Sequence, residues 1–152
     1  MKIAWLYLDK KAAAVDALKD YSSMKFIIEN HHDTLEEAAS KKTSVRSSTI
    51  TGLPHTANPH AAETRLAATL DEIDVLKERY RQALEFMEWF QPAWDSLTED
   101  EQYVLSEFYS NDEGTRIDAI GNISDHYVIE RTSAYKKKNR ALERFAILLY
   151  GK

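Results

Sequence analysis

With 152 residues, of which 43% are hydrophobic and 30% charged, the chain suits one domain or two small ones and can bury a core while staying soluble. Only 4 Gly and 3 Pro interrupt residues that favour helices, so the expected class is all-α, and the absence of Cys excludes disulfides and thiolate metal centres and fits a reducing cytoplasm. A net charge of −5 argues against a protein that coats nucleic acid.

The apolar run at residues 1–8 is too short for a signal sequence or a membrane span and is ended by Asp9-Lys10-Lys11, so no membrane contact is expected. From about residue 8 to 39 the spacing predicts a long amphipathic helix. Leu18, Tyr21, Met24, Ile28, Leu35 and Ala38 recur at intervals of three, four and seven, with His31 on the same stripe. Residues 40–57 lose that period, are rich in Ser and Thr, and contain Gly52 and Pro54. They read as a flexible loop.

Asn58-Pro59 then carries the signals of a helix start, and Pro92 is expected to stop that helix at about Gln91. Leu66, Ile73, Tyr80 and Met87 stand seven apart, with Leu70, Lys77, Leu84 and Gln91 as the companion row. Two long helices joined by a loop suggest a coiled-coil-like antiparallel hairpin, or a bundle made with a second copy. Leu66, Leu70, Ile73, Tyr80, Leu84 and Met87 are the expected core or oligomerisation residues. Phe86, Trp89, Phe90 and Trp94 form an aromatic cluster expected to pack against the C-terminal helices.

Thr98 and Glu101 make a capping box, opening a helix with Tyr103, Val104, Leu105, Phe108 and Tyr109 that ends at Asn111-Asp112-Glu113-Gly114. A short third helix carries Ile117, Ile120 and Ile123; Tyr127-Val128-Ile129-Glu130 reads as a turn; a last helix runs from about Arg131 to Tyr150. The predicted division is therefore a helical region at 1–95 and a trihelical helix-turn-helix domain at 96–152.

Charge supports a function for that second part. Residues 115–152 hold 8 Lys/Arg against 4 acids, whereas the rest of the chain holds 12 against 21. A basic tail on an acidic body is a pattern to test for nucleic-acid contact. In the last helix Ala134, Ala141, Leu142, Phe145 and Leu149 can face inward. Arg131, Thr132, Ser133, Tyr135 and Lys136 are then placed to meet bases, and Lys137, Arg140 and Arg144 to hold phosphates.

The stretch Leu97-Thr98-Glu99, Val104-Leu105, Phe108-Tyr109, then Ile129-Glu130-Arg131-Thr132-Ser133-Ala134-Tyr135-Lys136, Arg140-Ala141-Leu142-Glu143-Arg144-Phe145 and Leu149-Tyr150-Gly151 resembles a sigma-factor region-four-like domain. The domain it resembles is that of the RinA-like and ArpU-like regulators of late phage and prophage genes. Thr51-Gly52-Leu53-Pro54 before a long helix is similar to their N-terminal half. The resemblance implies sequence-specific binding of double-stranded DNA, control of transcription, and long helices that form a homo-oligomer or touch RNA polymerase. Three features depart from the pattern: Gly121-Asn122 inside the helix before the turn, a turn with no glycine, and Ala134 where a β-branched residue is usual. Two alternatives stay open. One is a helical interaction protein with a degenerate helix-turn-helix; the other is a small terminase-like DNA-packaging subunit.

No Gly-rich phosphate loop, nucleophile elbow or paired-carboxylate arrangement stands out, so no enzyme, catalytic residue or cofactor is expected. His60 and Glu63 lie one turn apart without a second nitrogen ligand at i+4, and the adjacent His31 and His32 point to different faces. No metal is expected.

Overall fold

A computed structural model describes residues 8–47, 59–110 and 114–151. Among them are five helices and no strand: α1 (Lys10–Ser47), α2 (Pro59–Asp95), α3 (Glu99–Tyr109), α4 (Arg116–Tyr127) and α5 (Arg131–Tyr150). The expected all-α class is the observed one. The apolar run at 1–7, the loop at 48–57 with Thr51-Gly52-Leu53-Pro54, the cap at Asn58 and the stop at Asn111-Asp112-Glu113 lie outside the described residues.

Helix α1 runs through Ser47, so residues 40–47 are helical rather than loop. Their hydroxyls explain how. Ser40 Oγ donates to the Glu37 carbonyl at 2.7 Å and Thr43 Oγ1 to the Ala39 carbonyl at 3.3 Å, turning groups that compete with a helix back onto its own carbonyls. Nor does Pro92 stop α2, which continues to Asp95. In the last turn a proline forfeits one i→i−4 bond but breaks no long ladder. The end is then closed from outside. Ser96 donates to the Pro92 carbonyl through both N–H (3.3 Å) and Oγ (2.7 Å), and Gln102 Nε2 donates to the Trp94 carbonyl at 2.8 Å.

The capping box at Thr98 and Glu101 is present. A second one opens α4, where Thr115 and Asp118 bond reciprocally. The Thr115 hydroxyl, and after it the Thr115 backbone N–H, hold the Asp118 carboxyl below its ordinary range. Gly121-Asn122 does not break α4: an added Cβ at Gly121 would meet nothing within 4 Å, and Asn122 Nδ2 donates to Glu107 Oε1 at 2.7 Å.

The chain forms two compact units, divided otherwise than at 95/96. The first joins the residues up to Met24 with those from Phe86 onward; the second is Lys25–Glu85. The long helices α1 and α2 each give one end to either unit. In the first unit Phe90, 1% exposed, lies 4.9 Å from the Tyr21 ring, 5.9 Å from Trp94 and 5.2 Å from Phe145. Ala14, Leu18, Leu105, Leu142 and Leu149 close the same core. This is the packing expected of the aromatic cluster, and it draws the start of α1 in as well. A second core beside it gathers Val104, Ile120, Ile123 and Ala134. Of the isoleucine triplet, Ile117 stays out, 66% exposed.

In the second unit His31 stacks on Tyr80 with ring centroids 3.8 Å apart, and Lys41 Nζ reaches Glu72 at 3.4 Å, so the two helices run antiparallel there. Among the described residues its buried members are small: Ala38, Thr69 and Ala83. Leu66, Ile73, Tyr80 and Met87 are half-buried as one row of the seam. The companion row is Thr69, Leu76, Ala83 and Phe90, three residues on, not Leu70, Lys77, Leu84 and Gln91, four residues on. Leu70 (41% exposed) and Leu84 (38%) are therefore not core residues of the single chain. The seam turns toward Ala83 and Thr69 because small side chains let two helices approach, whereas Lys77 would be buried on the other choice.

Candidate nucleic-acid interface

Helix α5 begins at Arg131, where the sequence placed it, with Glu130 at its N-cap. The turn before it needs a left-handed residue. Val128 supplies it, at φ 53° and ψ 50°, capping α4 with its N–H near the Ser124 and Asp125 carbonyls. A β-branched residue rarely takes this conformation, and Val128 does so while 91% exposed, with no packing to compensate. Ile129 N–H donates to the Ser124 carbonyl at 3.0 Å, and Ser124 Oγ donates back to the Ile129 carbonyl, so side chain and backbone together fix the turn.

One side of α5 is anchored by Ala134 (0% exposed), Ala141, Leu142, Phe145 and Leu149. Ala134 belongs to the core shared with α3 and α4, and its small side chain lets α5 lie close on both. Opposite, Thr132, Ser133, Lys136 and Arg140 share an exposed face at helical spacing, and Arg131 is exposed at the helix start. Among the described residues, Arg131, Lys136 and Arg140 form no ion pair or hydrogen bond, which leaves them open to anions.

Three other expected contact residues are placed differently. Lys137 Nζ lies 3.8 Å from Asp100 Oδ2 and 4.2 Å from the centroid of the Tyr127 ring. Arg144 Nη1 donates to both carboxylate oxygens of Glu101 at 3.1 Å, and Nη2 to the Ser96 carbonyl at 3.4 Å. These two cations are spent on bracing α5 against the N-terminus of α3. Tyr135 points away from the Lys136 face, toward Lys138, whose Nζ is 5.9 Å from its ring centroid.

The brace perturbs its members. Partial burial alone would raise the Glu101 pKa, but the Thr98 N–H and the Arg144 guanidinium outweigh it and hold the carboxyl below its ordinary range. Tyr127 is pushed up to about 12 by burial and by its hydrogen bond, 3.0 Å long, to Asp100 Oδ1. Between the brace and the open face runs a groove of about 610 Å³ whose lining includes Thr98, Asp100, Ser133, Lys136 and Arg140.

Sequence reading missed the acidic half of this arrangement. Asp100 and Glu101 registered as a helix start, and only the fold brings them to cations 37 and 43 residues away. Among the described residues no group of three or more His, Cys, Asp or Glu is arranged to hold a metal, and none of their helices is long and apolar enough to cross a membrane. His32 pairs with Glu36 at 3.1 Å and His60 with Glu63 at 3.8 Å, both as ordinary surface pairs. No protein-family model matches the chain, and neither curated proteins nor solved structures give a match.

Proposed function

We propose that α3, α4 and α5 form a trihelical helix-turn-helix of the sigma region-four type, and that the chain is a sequence-specific DNA-binding regulator of phage or prophage transcription. One observation carries this reading. The first turns of α5 present Arg131, Thr132, Ser133, Lys136 and Arg140 outward without an acidic partner among the described residues, on a helix whose other side is fixed by two cores. Such a helix fits the major groove: Arg131 supplies a bidentate donor, Thr132 and Ser133 short polar contacts, and Lys136 and Arg140 phosphate partners. Lys137 and Arg144 hold the recognition helix in place instead of holding phosphate.

The test is a selection from random duplexes, followed by anisotropy titrations of the selected site over a salt series. Binding is expected to weaken steeply with salt, and removing the two charges in a Lys136→Ala, Arg140→Ala variant should lower the log–log slope by about 2. Folded protein that enriches no sequence, or that binds with no salt dependence, overturns the reading.

A second role rests on a separate observation. Leu70 and Leu84 flank the seam of α2 and stay substantially exposed, so the helix keeps two large apolar side chains outside the contacts of the single chain, with Lys77 between them in the same row. We read these helices as the surface for a second copy or for RNA polymerase. Sedimentation of wild type beside Leu84→Glu tests the first: a dimer or tetramer that Leu84→Glu dissociates supports it, and a monomer in both refutes it. A large ring would instead favour the DNA-packaging alternative.

A further inference from the structure

Across α5 from the open face lies a second cavity, of about 380 Å³, lined by Val15, Phe108, Tyr109, Arg116, Tyr135 and Lys138. Its size falls within the range of small-molecule sites, about 300–1,000 Å³. Four helices contribute to it, all through residues of one compact unit. Lys138 sits about 160° around the helix from Lys136, so an occupant here would not compete with one on the Lys136 face.

Three aromatic rings surround one ammonium. Lys138 Nζ is 4.4 Å from the centroid of Phe108, 5.8 Å from Tyr109 and 5.9 Å from Tyr135. Burial lowers its pKa, and the positive charge of Arg116 lowers it further, so the two cations feel each other. Among the described residues neither Lys138 nor Arg116 has a carboxylate partner. Lys11, Lys137 and Arg144 each reach an acid within 4 Å; Lys138 and Arg116, like Arg131, Lys136 and Arg140, reach none among the described residues, and both line the aromatic cavity. Among the described residues no acid offsets these two like charges lining the cavity; they repel each other, and an anion between them relieves that repulsion.

We propose that this cavity binds a small anion carried on an aromatic ring. The oxyanion bridges Arg116, which can donate two parallel hydrogen bonds, and the Lys138 ammonium. The ring lies against the aromatic walls supplied by Phe108, Tyr109 and Tyr135, where offset or edge contacts are favourable. A carboxylate and a phosphate monoester share this chemistry. The proposal stands apart from the DNA-binding reading and does not depend on it.

Amide shifts of the isotope-labelled full chain at low salt test it, with benzoate, phenyl phosphate and inorganic phosphate as probes. Saturable shifts are expected with benzoate, phenyl phosphate or both, confined to the end of α3, the start of α4, the first half of α5 and α1 around Val15, with Kd near about 1 mM or tighter. Whichever of the two binds more tightly identifies the oxyanion. Arg116→Gln, at an exposed position, is expected to weaken binding roughly tenfold, as bidentate charge-assisted contacts do. Lys138→Gln should act likewise, with circular dichroism to confirm its fold. Absence of saturation, an unchanged affinity in folded Arg116→Gln, an equal response to inorganic phosphate, or shifts centred on Thr132, Ser133, Lys136 and Arg140 would each overturn it.

Discussion

The two compact units use the same kinds of helix to different ends. In the first, seven large side chains (Phe90, Phe145, Leu18, Leu105, Ile120, Ile123 and Val104) are almost fully withdrawn from water, in two cores built from several helices. In the second, two antiparallel stretches bury, among the described residues, Ala38, Thr69 and Ala83, while the large apolar side chains described there keep part of their surface wet. A pair of helices has one seam and cannot enclose a phenylalanine; a cluster of helices can. Stability should therefore concentrate in the first unit, and the second should hold by closeness of approach.

Four variants and one titration sharpen that contrast. Phe145→Ala removes a ring that meets Phe90 and Trp94 edge-on. It should cost about 3–5 kcal/mol in urea unfolding. A loss below about 1 kcal/mol would mean that the unit does not depend on this core. Ala83→Leu overpacks the tightest point of the seam and should cost about 1–3 kcal/mol. Val128→Gly relieves a left-handed β-branched residue and should add about 1 kcal/mol, and since nothing packs on Val128 a loss would show that the side chain has a partner. Leu84→Ala, one residue from Ala83, should change the single chain by less than about 0.5 kcal/mol. If the effects of Ala83→Leu and Leu84→Ala are reversed, the companion row of the seam is the one four residues on.

The smallest effect is electrostatic. Glu101 titrates below its ordinary value of 4.5 in the folded chain. Its contribution is thus complete above about 4.5 and disappears as pH falls through the lower folded value. Thermal melts should drop on acidification below 4.5, and Glu101→Gln should flatten part of that drop. An equally steep drop in the variant would assign it to other carboxylates.

Local signals in the sequence translated well. The box at Thr98 and Glu101, the start of α5 at Arg131 and the inward face from Ala134 to Leu149 depend on neighbours three or four residues away. What misled were rules that leave out the hydrogen bonds and packing made around them. Pro92 reads as a stop, yet Ser96 and Gln102 satisfy the carbonyls around it. Ser40 and Thr43 read as loop until their hydroxyls are seen bonded to the helix behind them. Leu70 and Leu84 outrank Thr69 and Ala83 by hydrophobicity, although the small pair lets the helices touch. At the interface, Lys137 and Arg144 read as phosphate ligands because their acids belong to α3. Lys138, in contrast, could have been flagged: its position falls within the apolar stripe of α5, an unusual place for an ammonium.

The tie between the beginning of α1 and the end of α5 has a consequence for synthesis. Lys10 Nζ donates to the Gly151 carbonyl at 2.9 Å, Lys11 pairs with Glu143, and Ala14 and Leu18 share a core with Leu142, Phe145 and Leu149. A ribosome makes Leu18 long before it makes Phe145. Until the later residues emerge, the apolar faces of α1 and of the end of α2, with Phe90 and Trp94, have no cover in the nascent chain. The described contacts within the second unit are available once residue 85 is out. The order of assembly is thus the inverse of the order of stability: the weaker unit can form first, and the stronger waits for α5.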